Sequence, residues 1–449
     1  MTENALRPVP KVGLSDRPEI YDGQGDELGP VASFGAQVIV FVSIIFIFNV
    51  TGFVVFPGMT PLALFMGTLG VVMLAPRLVL MRLPVSLLVL LLVGWMLAST
   101  LWTDSPEGTA FAILRLMPIV AGMAIICGLI SLRDLVPALL WSIRFSVVLT
   151  LAVVAALPET RIHIDPTGLS PDLDGWHGWF PHKNIMTPFL VFGLVTVLTF
   201  DRTRLMKLGT LALIGILFVG SDSVTGISSA MLVVSVWVWI RLHQNLDIRN
   251  SSVFVISSAS VGLFAILGVV ASLATVTSAS GKDLTFTGRT FIWQATFDAL
   301  SERPILGYGL GGILFDDPIS PKTAEVWRAI GFRVPHAHNG VLDIAIQLGI
   351  VGVIIFTLLF LSTMVDGVRR VRDQPTVAAW IVATLVTQLY MSLSENAFLG
   401  SGWLAILVMF RILLLRQAGM ELATGRDLAD RLRRTRSPST RGRSRELSS

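Results

Sequence analysis

Charged residues are scarce in this sequence of 449 residues: 14% are Asp, Glu, Lys or Arg, whereas 53% are hydrophobic. A soluble globular protein is roughly a quarter charged. The shortage excludes an ordinary soluble protein, because there is too little charge to cover a surface that faces water. We therefore expect much of the surface to face lipid, and we expect no nucleic-acid partner.

Three other features are missing. Cys127 is the single cysteine, which excludes an intramolecular disulfide and a cysteine metal site. No signal peptide is predicted, because residues 1–31 are polar and rich in proline and glycine, and the first apolar run begins after them. No internal repeat is visible, whereas transporters with duplicated halves often show one.

The sequence does contain a succession of apolar runs, and a run of roughly 20 residues can cross a bilayer as a helix. They predict an all-α, polytopic integral membrane protein with about twelve transmembrane helices. We divide the chain into a cytoplasmic N-terminal tail, 1–31, a transmembrane domain, 32–416, and an Arg-rich, disordered cytoplasmic tail, 417–449. The predicted spans are 32–54, 61–75, 85–101, 111–130, 135–157, 185–200, 208–220, 225–241, 253–276, 338–365, 376–396 and 402–416.

Basic residues predict the orientation, because cytoplasmic loops carry an excess of Lys and Arg. With the N-terminus inside, every short loop obeys this rule, and both termini lie in the cytoplasm. Two segments, 158–184 and 277–337, then lie on the periplasmic side, the second between helices nine and ten. Both are longer than a connection needs, and long loops are often functional.

The first periplasmic segment ends with His182, Lys183 and Asn184, at the mouth of the sixth span. Lys183 can hold a phosphate as a point charge, and its polar neighbours can bind a polar ligand. The alternative is an interfacial anchor, with tryptophans at the headgroup level and a lysine that reaches out of the lipid.

The second segment begins with a predicted helix that lies along the membrane surface and ends at Pro304. Arg289 and Trp293 are four residues apart, so they share one face of that helix. Arg289 can grip a phosphate through two parallel hydrogen bonds. A contact with lipid headgroups is the alternative.

A literal G-x-G-x-x-G follows, within 307–312. That pattern indicates a dinucleotide site only between a strand and a helix of a βαβ unit. No such unit fits between membrane spans, so we predict that these glycines form a tight loop.

The segment ends with His336 and His338, just before the tenth span. A histidine can take a proton from a sugar hydroxyl near neutral pH. Asn339, Asp343 and Gln347 then recur at every fourth position, and such a polar stripe usually faces a bundle interior or a wet cavity. We predict no metal site here, because the two histidines diverge and no further ligand set is evident.

Arg115 and Arg144 lie within predicted spans. A cation in the bilayer is a candidate functional residue, and the structural alternative is an ion pair with a carboxylate. Asp222 and Glu395, both near the predicted outer face, are candidate partners for Arg144.

These motifs together resemble the O-antigen ligase and Wzy-type polymerase family, in its exopolysaccharide polymerase branch. The resemblance rests on Gly288-Arg289 with Trp293, on the run from Arg303 to Gly309, on His336-Ala337-His338-Asn339 with Gly349-Ile350-Val351-Gly352, and on Phe180-Pro181-His182-Lys183-Asn184. It implies transfer of a glycan from an undecaprenyl diphosphate carrier to an acceptor sugar at the periplasmic face of the inner membrane. We expect no cofactor and no metal, because protein cations can carry the charge role.

By this resemblance His338 is the catalytic residue, and Arg289 is the loop arginine that binds substrate. Lys183, His182, Asn184, His336, Asn339, Arg144 and Arg115 are the other candidate substrate-binding residues. The family often has a basic residue where this chain has Val224, so Lys183, Arg115 or Arg144 is expected to replace it. Expected partners are the lipid-linked donor, the glycan acceptor, membrane lipids, and a flippase and chain-length regulator of the export pathway. A ligase and a polysaccharide transporter are the alternative functions.

Overall fold

The computed structural model describes residues 86–163, 173–245, 289–314, 320–371, 373–396 and 398–436. Three predicted spans, 32–54, 61–75 and 253–276, lie outside these ranges. The N-terminal tail and residues 437–449 also lie outside them.

The described chain is helical apart from one short antiparallel pair, β1 (Ile162–His163) and β2 (Leu173–Asp174). Two single-turn 3₁₀ helices occupy Ser99–Leu101 and Pro158–Arg161. The α-helices are α1 (Leu87–Ala98), α2 (Pro106–Leu129), α3 (Leu132–Ala156), α4 (Lys183–Phe200), α5 (Arg204–Gly220), α6 (Val224–Asn245), α7 (Arg289–Glu302), α8 (Pro321–Ile330), α9 (Gly340–Arg369), α10 (Pro375–Met391) and α11 (Ser401–Arg436).

Six of the described helices are long and apolar enough to cross a membrane, and they are α2, α3, α4, α6, α9 and the first half of α11. Two shorter apolar helices, Leu87–Leu101 and Pro375–Met391, accompany them. The predicted spans that fall on described residues all coincide with helices. The all-α membrane fold is thus confirmed, while the count of twelve stays a prediction.

Helix starts define the two ends of the bundle. At the upper end, α4 and α9 begin at Lys183 and Gly340, and the turn after α10 joins them where Ser392 accepts a backbone hydrogen bond of 2.7 Å from Gly340. At the lower end, α4 stops at Phe200 and α9 stops at Arg369. Since α4 has 18 residues, its ends are roughly 27 Å apart.

A break at Gly349 divides α9, because this residue has φ 66° and ψ −174°. Only glycine adopts that conformation without strain, and a Cβ here would lie 1.9 Å from the carbonyl oxygen of Ile305. The loop after α7 occupies the opening. Tyr308 and Gly309 donate to the carbonyls of Ile346 and Gln347. The predicted tight glycine loop is therefore confirmed, and it packs on a membrane helix.

Described residues of the segment 277–337, predicted to be periplasmic, share a small hydrophobic cluster with the start of α9, distinct from the main bundle core. The predicted surface helix exists as α7, which buries Ile292 and Ala299 in that cluster. Its opposite side leaves Phe291 and Phe297 exposed. Exposed aromatic residues on a helix outside the main bundle agree with a position at an interface between lipid and water.

The C-terminal region departs from expectation, because α11 continues to Arg436 where a disordered tail was predicted from residue 417. The segment from residue 420 to Arg436 is rich in Leu, Ala and Arg, all of which favour helix. Its charge suggested disorder, but a helix already started in the membrane needs no new nucleus to continue.

Candidate functional site

Four separate segments meet at the upper end. They supply Asn184 from the start of α4, Arg289 from the start of α7, His338 from the loop before α9, and Glu395 from the turn after α10. Glu395 is the common partner: its Oε1 accepts hydrogen bonds of 2.9 Å from Arg289 and 3.0 Å from Asn184. Its Oε2 lies 3.4 Å from Nδ1 of His338. We call Asn184, Arg289, His336, His338 and Glu395 the upper cluster.

Glu395 is a buried carboxylate, 8% exposed. Burial alone would raise its pKa. The interaction with His338 and the positive charge of Arg289 outweigh that effect and hold the pKa of Glu395 at about 2. The carboxylate is therefore ionised throughout the physiological pH range.

His338 has a strained backbone, with φ 48°. Non-glycine residues seldom adopt the left-handed region, and each such residue costs on the order of 1–3 kcal/mol, mostly at functional sites. Nδ1 of this residue is buried and lacks a hydrogen-bond partner among the described residues, because the contact with Glu395 is close but poorly aligned. The surrounding structure thus holds the imidazole at a fixed place against the carboxylate.

His336 supports the same loop. Its Nδ1 accepts a hydrogen bond of 3.3 Å from the backbone N–H of His338, and the two rings lie 4.1 Å apart. Burial, followed by the charge of His338, lowers the pKa of His336. This ring is accordingly neutral near pH 7.

Two of the predicted binding residues cap helices. Nδ1 of His182 accepts from the N–H of Asn184 at the start of α4. Asn339 caps α9, accepting from the N–H groups of Val341 and Leu342. Both lie at the site, but these polar atoms already satisfy backbone donors that a helix start leaves open.

The polar stripe on α9 is also structural. Asp343 accepts a hydrogen bond from the N–H of Ala337 and another from the side chain of Gln347. Gln347 in turn accepts from the N–H of Gly311. Asp343 and Gln347 thus fix the histidine loop and the glycine loop to α9.

Lys183 lies beside the turn where the family has its basic residue. A Cβ on Gly175 would be 3.0 Å from Nζ of Lys183 and 2.3 Å from the carbonyl oxygen of Ser221. Ser221 ends α5, and Val224 begins α6. The ammonium group of Lys183 therefore reaches the turn that precedes Val224.

Arg144 lies away from the cluster. It pairs with Asp201, at the lower end of α4, and its guanidinium lies 5.3 Å from the ring centre of Trp141. The expected partners, Asp222 and Glu395, were wrong, because both stand at the upper end and Glu395 is occupied by Arg289. The contacts favour the structural alternative for Arg144.

Arg115 is half-buried on α2, which packs mainly against α11. Its predicted role in binding stays a prediction.

Three groups of the upper cluster have the spacing of a metal site. One ligand atom from each of His336, His338 and Glu395 lies within 4.8 Å of the others. The guanidinium of Arg289, 2.9 Å from the same carboxylate, opposes a divalent cation there. Three ligand atoms are enough to hold a metal ion, but the positive charge of Arg289 disfavours a cation at this carboxylate.

An apolar cleft of about 170 Å³ adjoins the cluster. It is lined by Trp293, Phe297, Leu300, Asn339, Val341, Leu342 and Ala345. Since Asn339 lines the cleft and directly follows His338, an apolar chain in the cleft would end close to the histidine loop.

Sequence reasoning missed Glu395 as a site residue and considered it only as a partner for Arg144. It has no motif of its own. The available signal was a lone acidic residue at the end of an apolar helix, which usually has a partner or a function.

Comparison with known proteins bears on residues 209–357, which match the model of the O-antigen ligase family. This range contains Arg289 and His338 of the upper cluster. This part of the chain is therefore similar to O-antigen ligases. The resemblance read from the motifs is thereby confirmed, although Asn184 and Glu395 lie outside the matched range.

Two named proteins are similar to parts of this chain. The exopolysaccharide production protein ExoQ of Rhizobium meliloti is 24% identical over 159 residues, which are 34% of this chain and 36% of ExoQ. A putative polysaccharide ligase of Rickettsia conorii is 36% identical over 75 residues, 16% of this chain and 18% of that protein. The matched part of the chain thus spans 36% of ExoQ and 18% of the Rickettsia conorii protein.

Proposed function

We propose that this protein is a glycosyltransferase that polymerises undecaprenyl-diphosphate-linked oligosaccharide repeat units at the periplasmic face of a bacterial inner membrane, in exopolysaccharide biosynthesis. The observation that carries the proposal is the upper cluster. It brings a histidine and a partly buried arginine together where membrane helices begin. The family match and the likeness to ExoQ support it.

In this reaction His338 is the general base. It takes the proton of the acceptor hydroxyl as that oxygen bonds to the anomeric carbon of the donor and the bond to the diphosphate breaks. The electron pair of the broken bond goes to the leaving diphosphate, which is already stable. The enzyme mainly has to sharpen the nucleophile and align both substrates.

Cations of the chain stabilise the leaving diphosphate. Arg289 can do so through its guanidinium, and Lys183, beside the turn at Val224, replaces the basic residue missing there. The apolar cleft next to Asn339 fits the first part of a polyprenyl tail. No metal is needed in this scheme, since protein cations carry the charge.

A ligase that transfers the glycan to a lipid or protein acceptor is the second candidate. It is favoured by the putative polysaccharide ligase of Rickettsia conorii, and it would use the same donor, base and cations. The acceptor alone separates the two. A transporter would need no base, so the cluster argues against it. A flippase and a chain-length regulator are the proposed partners in the export pathway.

The proposed orientation can be tested with single cysteines in a variant that lacks Cys127. A cysteine at the exposed Glu325 of α8 should react with an impermeant maleimide added to intact spheroplasts. A cysteine at the exposed Arg369, at the lower end, should react only after the membrane is opened. The reverse pattern would place the upper cluster in the cytoplasm and contradict the proposal.

The function itself is tested with purified protein and lipid-linked repeat units. Extension to longer lipid-linked chains identifies a polymerase. Transfer of a preformed glycan to an added acceptor, with no extension, identifies a ligase. Neither product, from protein that is folded and pure, overturns the proposed reaction.

A further inference from the structure

Glu395 joins the two residues to which the proposed reaction assigns chemistry. One of its oxygens, Oε1, receives donors from Arg289 and Asn184. The other, Oε2, has Nδ1 of His338 as its near neighbour, at 3.4 Å. Oε1 already accepts two hydrogen bonds, whereas Oε2 faces the imidazole. The carboxylate can therefore hold that ring and favour its charged form.

The position of the carboxylate is fixed from several sides. The turn that carries Glu395 is attached to α10 by a hydrogen bond of 2.9 Å from its own N–H to the carbonyl of Met391. The same turn meets the start of α9 through Ser392 and Gly340, at 2.7 Å. Side chains from α4 and α7 complete the enclosure, so Glu395 cannot easily turn away from the histidine.

We infer that Glu395 is the positioning residue of the base: its carboxylate selects the tautomer of His338 with the proton on Nδ1, leaving Nε2 to accept the proton of the acceptor hydroxyl. After that transfer both nitrogens carry protons, and the carboxylate stabilises the imidazolium next to it. Once the product has formed, Nε2 releases this proton to water. This inference rests on the proposed function.

The same residue also explains how a base and a phosphate-binding arginine are kept together without a metal. Arg289 balances the negative charge of Glu395, while Glu395 prevents the arginine from facing the two histidines unpaired. Other charged and titratable groups that face this point are His182 at the α4 cap, His336 on the same loop, and Asp343 on α9. Glu395 contacts both Arg289, at 2.9 Å, and His338, at 3.4 Å.

The test compares Glu395→Gln, Glu395→Asp and the wild type in chain extension with purified lipid-linked units. The amide oxygen of Gln can still accept from Arg289 and Asn184, so the fold should persist. We expect kcat to fall roughly 10- to 100-fold with KM little changed, a part of the roughly 10²–10⁴ that a general base supplies. Glu395→Asp keeps the charge and should recover part of the loss.

The pH profile separates positioning from a structural role. Without the carboxylate, the imidazolium loses its stabilising charge, so the acid limb of the kcat profile should move to lower pH in Glu395→Gln. The matched control is Glu325→Gln, an exposed carboxylate paired with Lys322, which should leave kcat and the profile unchanged. Wild-type kcat and profile in Glu395→Gln would overturn the inference, and so would a loss that reflects only lower protein yield. Failure of the wild type to extend chains would instead overturn the proposed function.

Discussion

The two ends of the bundle both hold arginine–carboxylate pairs, yet their surroundings differ. At the lower end Arg144 pairs with Asp201, and Arg411 pairs with Asp366 at 2.6 Å. These two pairs join neighbouring helices. Arg370 adds a further contact of this kind, because its guanidinium donates a hydrogen bond to the carbonyl of Leu414. At the upper end the corresponding pair, Arg289 with Glu395, also touches a histidine.

The comparison teaches that a buried ion pair does not by itself identify a site. A lone intramembrane arginine was a reasonable candidate in the sequence, and Arg144 nevertheless has a structural partner. What distinguishes the upper pair is a titratable ring against the carboxylate, on a backbone held at φ 48°. Backbone strain together with a titratable partner indicates a functional site better than a buried charge alone does.

The largest effect should follow from removing the ring that makes the upper end different. His338→Ala should lower kcat for chain extension by roughly 10²–10⁴, the contribution of a general base, at normal protein level. His336→Ala is the control: its ring supports the loop, so a smaller loss is expected. Undiminished extension by His338→Ala would rule out the assigned base.

The next largest effect should come from Arg289. Arg289→Ala should reduce extension strongly, since it removes the cation for the diphosphate and the arginine partner of Glu395. Arg289→Lys should retain partial activity, because a point charge replaces a planar fork. Initial rates at matched protein amounts measure both. Equal rates for Arg289→Ala and the wild type would make the upper pair as structural as the lower ones.

At the lower end the expected loss is in stability alone. Arg144→Ala leaves Asp201 buried without its partner, which typically costs about 3–5 kcal/mol. Thermal unfolding in detergent should therefore shift downward, while activity per folded molecule stays near the wild-type value. The double variant Arg144→Met with Asp201→Leu should recover stability. A selective loss of activity in folded Arg144→Ala would return this residue to the candidate substrate-binding set.

The smallest effect is expected from chelation. His336, His338 and Glu395 have the spacing of a metal site, but Arg289 opposes a cation at that carboxylate. Chain extension by purified protein should be the same with and without EDTA. Loss of activity in EDTA that zinc or another divalent ion restores would show that the cluster binds metal and would replace the proposed mechanism.

Much of the fold could be predicted because hydropathy and capping are local. The start of α4 at Lys183 and of α9 near Asn339 follow from apolar runs and from the residues that begin them. The candidate residues His338 and Arg289 followed from motifs in the same way. The end of α11 could not be predicted by charge alone, because helix continuation depends on the part already formed.

The sequence by itself determined that this is a helical membrane protein, and it determined which loops carry polar chemistry, because lipid imposes apolar runs of nearly fixed length. Only the tertiary structure decided which charges meet. Arg289 and Glu395 are 106 positions apart, Asn184 and Glu395 are 211 apart, and Arg144 and Asp201 are 57 apart. No local periodicity encodes such pairs. They arise when helices pack and each buried charge must find a partner within a few ångströms.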